Sequence, residues 1–393
     1  MNFKWLIAFI VVLYFASCTN NVKIRNDKRG DLTASVMLKL SEEKKIVLDS
    51  SSAPKPQYTQ MFVGDGGTRY FTFLNRYTNS IYFYNYENLQ FTKNIVFETR
   101  GADGVSILKA YHIKSLDSIY LYNRNAIEII MANDKGKVLN RFSLRANRSD
   151  PNWGFIYPQY NPQTVMPFIE TKSELLLSGF FFGAIPNSII ESFKFTSRLN
   201  FKMGVVTFSH TYPPKLYGSN YNWDGELFTL VFSELHPDGD KLIYSFPVSH
   251  ELYIADINSE TYRKVYAGSN FAKTIHSINS SAKRVPNEKI MTHIIEQDAY
   301  TAIKYDKFRK VYYRFLLKSA SATDGNMRWQ KKPIVIIIMD EDFNYLGETE
   351  IGTGEDWYWQ NSFVTKEGLN IEYIEKDFEE VYLTLKIFTI EKI

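Results

Sequence analysis

Apolar and aromatic residues crowd into short runs along this chain, and tight polar turns separate the runs. The clearest pair is Ser80-Ile81-Tyr82-Phe83-Tyr84, a turn over 85–90, and a second run over 91–97. Runs of this length, rich in β-branched and aromatic side chains and bounded by Asn, Asp and Gly, predict strands joined as hairpins. Three more pairs follow: 126–131 with 137–144, 251–257 with 262–267, and 333–339 with 345–351. The Asn, Asp and Gly of the intervening turns tolerate the left-handed backbone that hairpins require.

Two further strands precede each pair, at 60–64 and 70–75, 106–113 and 118–122, 227–234 and 241–246, and 300–305 and 311–317. A less regular unit spans 164–209. The last unit has strands near 362–365, 369–374 and 381–390 and lacks a fourth, which 35–48 can supply. Four antiparallel strands repeated in this way are the blades of a β-propeller. The expectation is an all-β chain: six blades, closed by pairing of N- and C-terminal strands so that no sheet edge is left open. A large β-sandwich or two all-β domains is the alternative. The only stretch that reads as a helix is 287–299, between units.

Composition agrees with this pattern. The chain holds 27 Tyr and 29 Phe in 393 residues, and both suit a pleated, half-buried surface. Lys and Arg total 46 against 43 Asp and Glu, so no basic footprint points to nucleic acid.

The N-terminus carries a separate message. Lys4 is followed by an apolar run over 6–15 that is shorter than the roughly 20 residues of a membrane-spanning helix. A charged start, a short apolar run and small residues form an export signal. The run ends in Phe15-Ala16-Ser17-Cys18, which resembles the bacterial lipobox, and Cys18 is the only cysteine of the chain. The resemblance implies cleavage after residue 17, diacylation of the Cys18 thiol and anchoring in a membrane. The expected organisation is a signal peptide over 1–17, a flexible tether over 18–32 and one propeller over 33–393. Thr19, rather than Asp, at the second mature position favours the outer membrane. No acidic cluster follows, which favours its periplasmic face over the cell surface.

The units also carry recurrent punctuation: Phe73-Leu74-Asn75-Arg76 with Asn79-Ser80-Ile81-Tyr82, Gly101-Ala102-Asp103-Gly104-Val105, Leu116-Asp117-Ser118-Ile119-Tyr120, and Tyr305-Asp306-Lys307-Phe308-Arg309 running into Tyr312-Tyr313-Arg314. In these the chain resembles the six-bladed β-propeller lipoproteins of Bacteroidetes, a domain-of-unknown-function family. It differs at Ala102, where such loops carry proline. The resemblance implies a fold and a location and brings no catalytic residue with it.

Function is expected on the long connections between units, which a propeller gathers on one face. Three are rich in aromatics and amides. The candidates for ligand contact are Trp153, Tyr157 and Tyr160 in the first, Tyr217 and Trp223 in the second, and Glu355, Asp356, Trp357 and Trp359 in the third. Flat rings beside amides and carboxylates suit sugars or extended peptides. The competing reading is that these rings pack the loops onto the blades. The acid pairs Asp238/Asp240, Asp340/Asp342 and Glu379/Glu380 read as solvated turn residues. The six histidines show no metal spacing, and P-loop, GxSxG and GxGxxG patterns are absent. No metal or cofactor is expected. The leading expectation is a membrane-anchored propeller that binds a glycan, a peptide or an envelope protein. A glycan-active hydrolase or lyase comes second and a structural envelope component third.

Overall fold

A computed structural model describes residues 22–145, 157–279, 285–322, 328–376 and 381–393. After the short β1 (Lys23–Ile24) and the long β2 (Val36–Val47), the chain builds six four-stranded antiparallel sheets. Blade I holds β3 (Thr59–Val63), β4 (Arg69–Asn75), β5 (Ser80–Asn85) and β6 (Phe91–Val96). Blade II holds β7 (Leu108–Ser115), β8 (Ser118–Asn123), β9 (Glu128–Ala132) and β10 (Val138–Ser143). Blade III holds β11 (Ile169–Glu170), β12 (Glu174–Ser178), β13 (Lys194–Asn200) and β14 (Val206–Thr211). Blade IV holds β15 (Phe232–Leu235), β16 (Lys241–Ser245), β17 (Glu251–Asp256) and β18 (Arg263–Tyr266). After β19 (Ile275–His276) and the helix α1 (Asn287–Glu296), blade V holds β20 (Ala299–Asp306), β21 (Val311–Leu317), β22 (Pro333–Asp340) and β23 (Tyr345–Thr353). Blade VI holds β24 (Trp357–Val364), β25 (Leu369–Tyr373) and β26 (Tyr382–Lys392).

Its fourth strand is β2, which pairs with β26 from Val36↔Lys392 to Val47↔Tyr382. The chain is therefore a six-bladed β-propeller closed by its terminal strands, as the repeat predicts. Closure buries Ile46, Leu383 and Leu385 against Phe71, Phe73 and Tyr82 of blade I, which joins the two ends of the chain to its first blade.

One turn recurs throughout. Asn75 Oδ1 accepts the N–H groups of Tyr77 and Thr78, and four residues on Asn79 adopts φ +49°. Asn123 does the same for Asn125 and Ala126, with Ile127 at φ +51°. In the Tyr305-to-Arg309 motif, Asp306 Oδ1 holds the Phe308 and Arg309 amides and its Oδ2 takes Arg309 Nη1 and Tyr313 Oη. These motifs build turns by letting a short side chain stand in for a backbone acceptor.

Two predicted strands move. The first strand of blade IV, expected at 227–234, begins at Phe232, because Glu226–Thr229 form a helical turn. The carbonyls of Phe228 and Thr229 there accept Tyr217 and Tyr212 hydroxyls instead of strand partners. The first strand of blade VI, expected at 362–365, starts at Trp357 and so takes in residues read as loop.

The tether is also shorter than expected. Residues 22–32 are docked on blades IV and V. β1 pairs with β19, and Val22 N donates to Ser277 Oγ. Asn26 Nδ2 donates to the carbonyls of Ser269 and Ala272, at 2.7 and 3.0 Å. Asn270 Oδ1 accepts Gly30 N and Leu32 N. Polarity of the segment suggested a free chain, but the Asn26 side chain and the backbone of Val22, Gly30 and Leu32 have specific partners. Cys18 and residues 1–17 lie outside the described residues.

Candidate functional site

Antiparallel blades place the connection into each first strand, and the turn between second and third strands, on one face. On that face the connection from blade II to blade III dips into the axis. Gln57 Nε2 donates to Pro162 O, Tyr58 Oη accepts Phe168 N and Thr59 N donates to Thr164 Oγ1. Thr164 Oγ1 donates to Asn361 Oδ1 at 2.6 Å, and Lys304 Nζ donates to Thr164 O. Blades I, V and VI thus all grip this segment, which plugs the channel.

Beside the plug lies a cavity of about 230 Å³. Lys55 and Gln57 come from the link between blades VI and I, Arg76 and Tyr77 from the blade I turn, and Arg124 from the equivalent blade II turn. Asn161 and Gln163 come from the plug and Tyr358 from β24. The described lining includes three cations and no carboxylate. Lys109, at the start of β7, stands close enough for Arg124 and Arg76 to lower its pKa, in addition to a larger effect of burial.

Behind the lining lies Glu372, 1% exposed and bonded to the lining residue Lys55. Its Oε1 accepts Lys55 N at 2.7 Å and its Oε2 accepts Asn361 Nδ2 at 2.6 Å. Burial outweighs these two bonds and pushes its carboxyl pKa up to about 7. Tyr358 is raised to about 12, by burial first and then by Glu372, while Arg76 opposes. Lys55 sits between Pro54 and Pro56 at φ +61°. A non-glycine residue in the left-handed region is strained and persists only where its surroundings over-determine it. Here the Glu372 carboxyl fixes its amide.

The structure places the expected ligand contacts elsewhere. Trp223 is 1% exposed, donates Nε1 to Leu216 O at 2.7 Å and packs on Tyr217 and Phe228. Tyr217 is fully buried, with its hydroxyl on Phe228 O. Trp357 donates Nε1 to Ile351 O and packs on Tyr373 and Phe388. Trp359 is buried against Phe232, and Tyr160 against Tyr122. Tyr157 is half-buried against Phe208. All of these rings but Tyr157 are buried in packing contacts rather than offered for stacking. Asp356 pairs with Lys376 at 2.8 Å and caps Thr353, and exposed Glu355 lies 3.9 Å from Arg328. Trp153 lies outside the described residues.

Two of the three expected segments nevertheless reach the cavity, through other residues. Side chains alternate along a strand, so Trp357 and Trp359 turn into the core and Tyr358 faces the mouth. In the plug, Asn161 and Gln163 line it while Tyr160 is buried. The missed residues are the cations. The repeat held their signal, since Asn75-Arg76 and Asn123-Arg124 are the same step of the same turn in neighbouring blades.

A second cavity, about 820 Å³, opens on the opposite face among Glu170, Glu174, Arg198, Asp238 and Asp240. Its charges are matched internally. Arg198 pairs with Glu174 at 2.6 Å, Lys241 with Asp238 at 2.8 Å, and His112 and Lys114 with Glu170. Among the described residues no cluster of His, Cys, Asp and Glu has the make-up of a metal site. None of their helices is long and apolar enough to cross a membrane.

No curated protein matches the chain. Among solved structures, a member of the DUF4221 family from Bacteroides vulgatus superposes with a TM-score of 0.79 at 20% identity, covering 91% of this chain and 99% of its own. A protein of Bacteroides fragilis whose name places it among exported proteins superposes at 0.51 with 10% identity, covering 93% and 98%. At these identities the likeness concerns the fold. The sequence profile of a domain of unknown function, DUF4221, matches residues 35–350, most of the propeller, and the chain belongs to that family.

Proposed function

We propose that this protein is a membrane-anchored binding propeller of the bacterial envelope, with the loop-face cavity beside the plug as its binding site. The carrying observation is the cavity's construction. It gathers polar side chains from blades I, II and VI and the plug, with the lining residue Lys55 held from behind by Glu372. A concave site with a few convergent polar groups is where a ligand is expected.

A two-carboxylate hydrolase would need two such groups facing one space, and the lining of this mouth supplies none. Binding is the better reading. Anchoring rests on the lipobox-like Phe15-Ala16-Ser17-Cys18 and the single cysteine. Outer-membrane placement on the periplasmic side rests on Thr19 and the absence of an acidic run after Cys18.

Metabolic labelling with a radiolabelled fatty acid tests the anchor. The wild type takes up label and sediments with membranes, and Cys18→Ala does neither. Label in the Cys18→Ala protein would overturn the assignment. Binding at the mouth is tested by titrating the purified mature protein with a panel of small sugars and sugar acids. Loss of all binding in Tyr358→Ala, with the fold intact, supports the site. Unchanged binding moves it elsewhere.

A further inference from the structure

We propose that the loop-face cavity recognises an anionic group, a phosphate, sulfate or carboxylate on a monosaccharide-sized molecule, held between Arg76 and Arg124 with Lys55 and Lys109 beside it. The inference rests on reading the cavity as a binding site and adds the chemical class of what enters it.

Charge is the first support. Four arginines elsewhere in the molecule are matched to carboxylates: Arg69 to Glu87 and Glu367, Arg141 to Glu128, Arg198 to Glu174, and Arg309 to Asp306. Around the mouth, no described carboxylate lies within ion-pair distance of Lys55, Arg76, Lys109 or Arg124, although the four come from four separate elements. Gathering like charges raises the energy of each: Arg124 and Arg76 add to burial, the larger cause, in lowering the Lys109 pKa. An incoming anion relieves that repulsion. Glu372, buried behind Lys55, is pushed up to about 7 by burial and so keeps its proton on about half the molecules at pH 7, which reduces how much of the positive charge it offsets.

Geometry is the second. Asn75 and Asn123 fix identical turns and so deliver two guanidinium groups from adjacent blades to one mouth. A guanidinium presents a planar fork of donors that matches an oxyanion in two parallel bonds, which an ammonium cannot do. The rest of the lining suits the body that carries the charge. Gln57, Asn161 and Gln163 offer amides for hydroxyls, and Tyr77 and Tyr358 offer rings and phenols. A cavity of about 230 Å³ takes one sugar-sized unit. The lining is also pre-set, because strained Lys55 is locked through its amide and the plug is tied to three blades. Little ordering is left for the ligand to bring about.

The test is calorimetric titration of the purified mature protein with inorganic phosphate, sulfate, glucose 6-phosphate, glucuronate and glucose, at low and high ionic strength. The expected result is binding of the charged sugars at least about ten-fold tighter than glucose, weakened by salt. Arg76→Gln and Arg124→Gln each reduce that affinity about ten-fold or more, and Lys135→Gln, on a remote turn, leaves it unchanged. Both arginines are exposed, so the variants are expected to fold, and circular dichroism confirms it. Equal binding of glucose and glucose 6-phosphate, lost in Tyr358→Ala, would keep the site and overturn its anion preference. Anion binding indifferent to both arginine substitutions would place the anion elsewhere and overturn the proposal. Silence toward every compound would remove the anion preference and the binding site together.

Discussion

The backbone N–H of Lys55 donates to Glu372 Oε1 at 2.7 Å across 317 residues, so the start of blade I is tied to blade VI behind the lining of the cationic mouth. Ring closure and the candidate site therefore share one hydrogen bond. Whatever loosens the seam between the first and last blades also moves Lys55, Pro56 and Gln57 out of the lining.

Glu372 gives this seam a pH dependence with a definite sign. Its carboxyl titrates near 4.5 in the unfolded chain and at about 7 in the folded one. Below pH 4.5 both states hold the proton. Between about 4.5 and 7 only the folded state does, so this group's contribution to stability falls as pH rises through that window and is flat above it. The lost contribution is about 3 kcal/mol. His250 and His293, each depressed to about 4 by burial, act in the opposite sense between about 4 and 6.5. The quantity to measure is therefore the difference in urea-denaturation stability between wild type and Glu372→Gln, which is expected to fall from pH 5 to pH 7. A difference that does not change with pH contradicts the shift.

The docked arm is expected to be released by two routes. Tyr300 Oη accepts Ser269 N and donates to His250 Nδ1, which leaves the proton on Nε2 to meet Ile24 O at 3.3 Å. Asn26→Ala removes two bonds to Ser269 and Ala272 and the partner of Tyr266. Trypsin cleavage at Lys23, Arg25, Lys28 or Arg29 is expected to accelerate about ten-fold in Asn26→Ala. In the wild type the rate relative to that of an unstructured peptide with the same sites is expected to rise as pH falls below 6.5, because His250 uncovered by release of the arm binds a proton that the covered one refuses. Cleavage rates equal in both proteins would show that the arm is not held by these bonds.

Arg314 is a buried cation without a carboxylate partner among the described residues. Its guanidinium donates to Ser245 Oγ and to the carbonyls of Ala267, Ser249 and Glu251, and lies 3.9 Å from the centre of the Tyr300 ring. Burial lowers its pKa to about 10, which still leaves it charged at neutral pH. It bolts blade V to blade IV. Arg314→Met strands four acceptors and is expected to destabilise by about 4 kcal/mol, read from the urea midpoint. A loss below about 1 kcal/mol would mean that water replaces it at little cost.

The buried tryptophans separate packing from recognition. Trp223→Ala is expected to cost about 3–5 kcal/mol, while Trp223→Phe, if folded, leaves affinity for charged sugars unchanged. Lowered affinity with unchanged stability would return Trp223 to the list of ligand contacts.

Blade number, strand order and ring closure were legible in the sequence because a strand with one buried face repeats at period two and its turns need particular residues. Asn75, Asn123 and Asp306 mark those turns in the bare sequence. The site was half legible. Length and aromatic richness picked out the right connections near 157–162 and 355–361. Which side chain faces the mouth depends on strand parity, and β24 begins five residues before its sequence signal, so Trp357 and Trp359 were taken for Tyr358. The arm was misread because polarity does not distinguish a solvated segment from one whose polar groups, like Asn26, have buried partners. Lys55 had no sequence signal beyond its two flanking prolines, since its partner Glu372 lies at the far end of the chain.

The most direct measurement is a crystal structure of the protein soaked with glucose 6-phosphate, with sulfate as a parallel soak. An anion seated between Arg76 and Arg124, its oxygens about 2.7–3.1 Å from the guanidinium nitrogens and its sugar against Tyr358, Asn161 and Gln163, is the predicted result. An empty mouth at saturating ligand, or density only in the opposite-face cavity by Arg198 and Asp238, would contradict it.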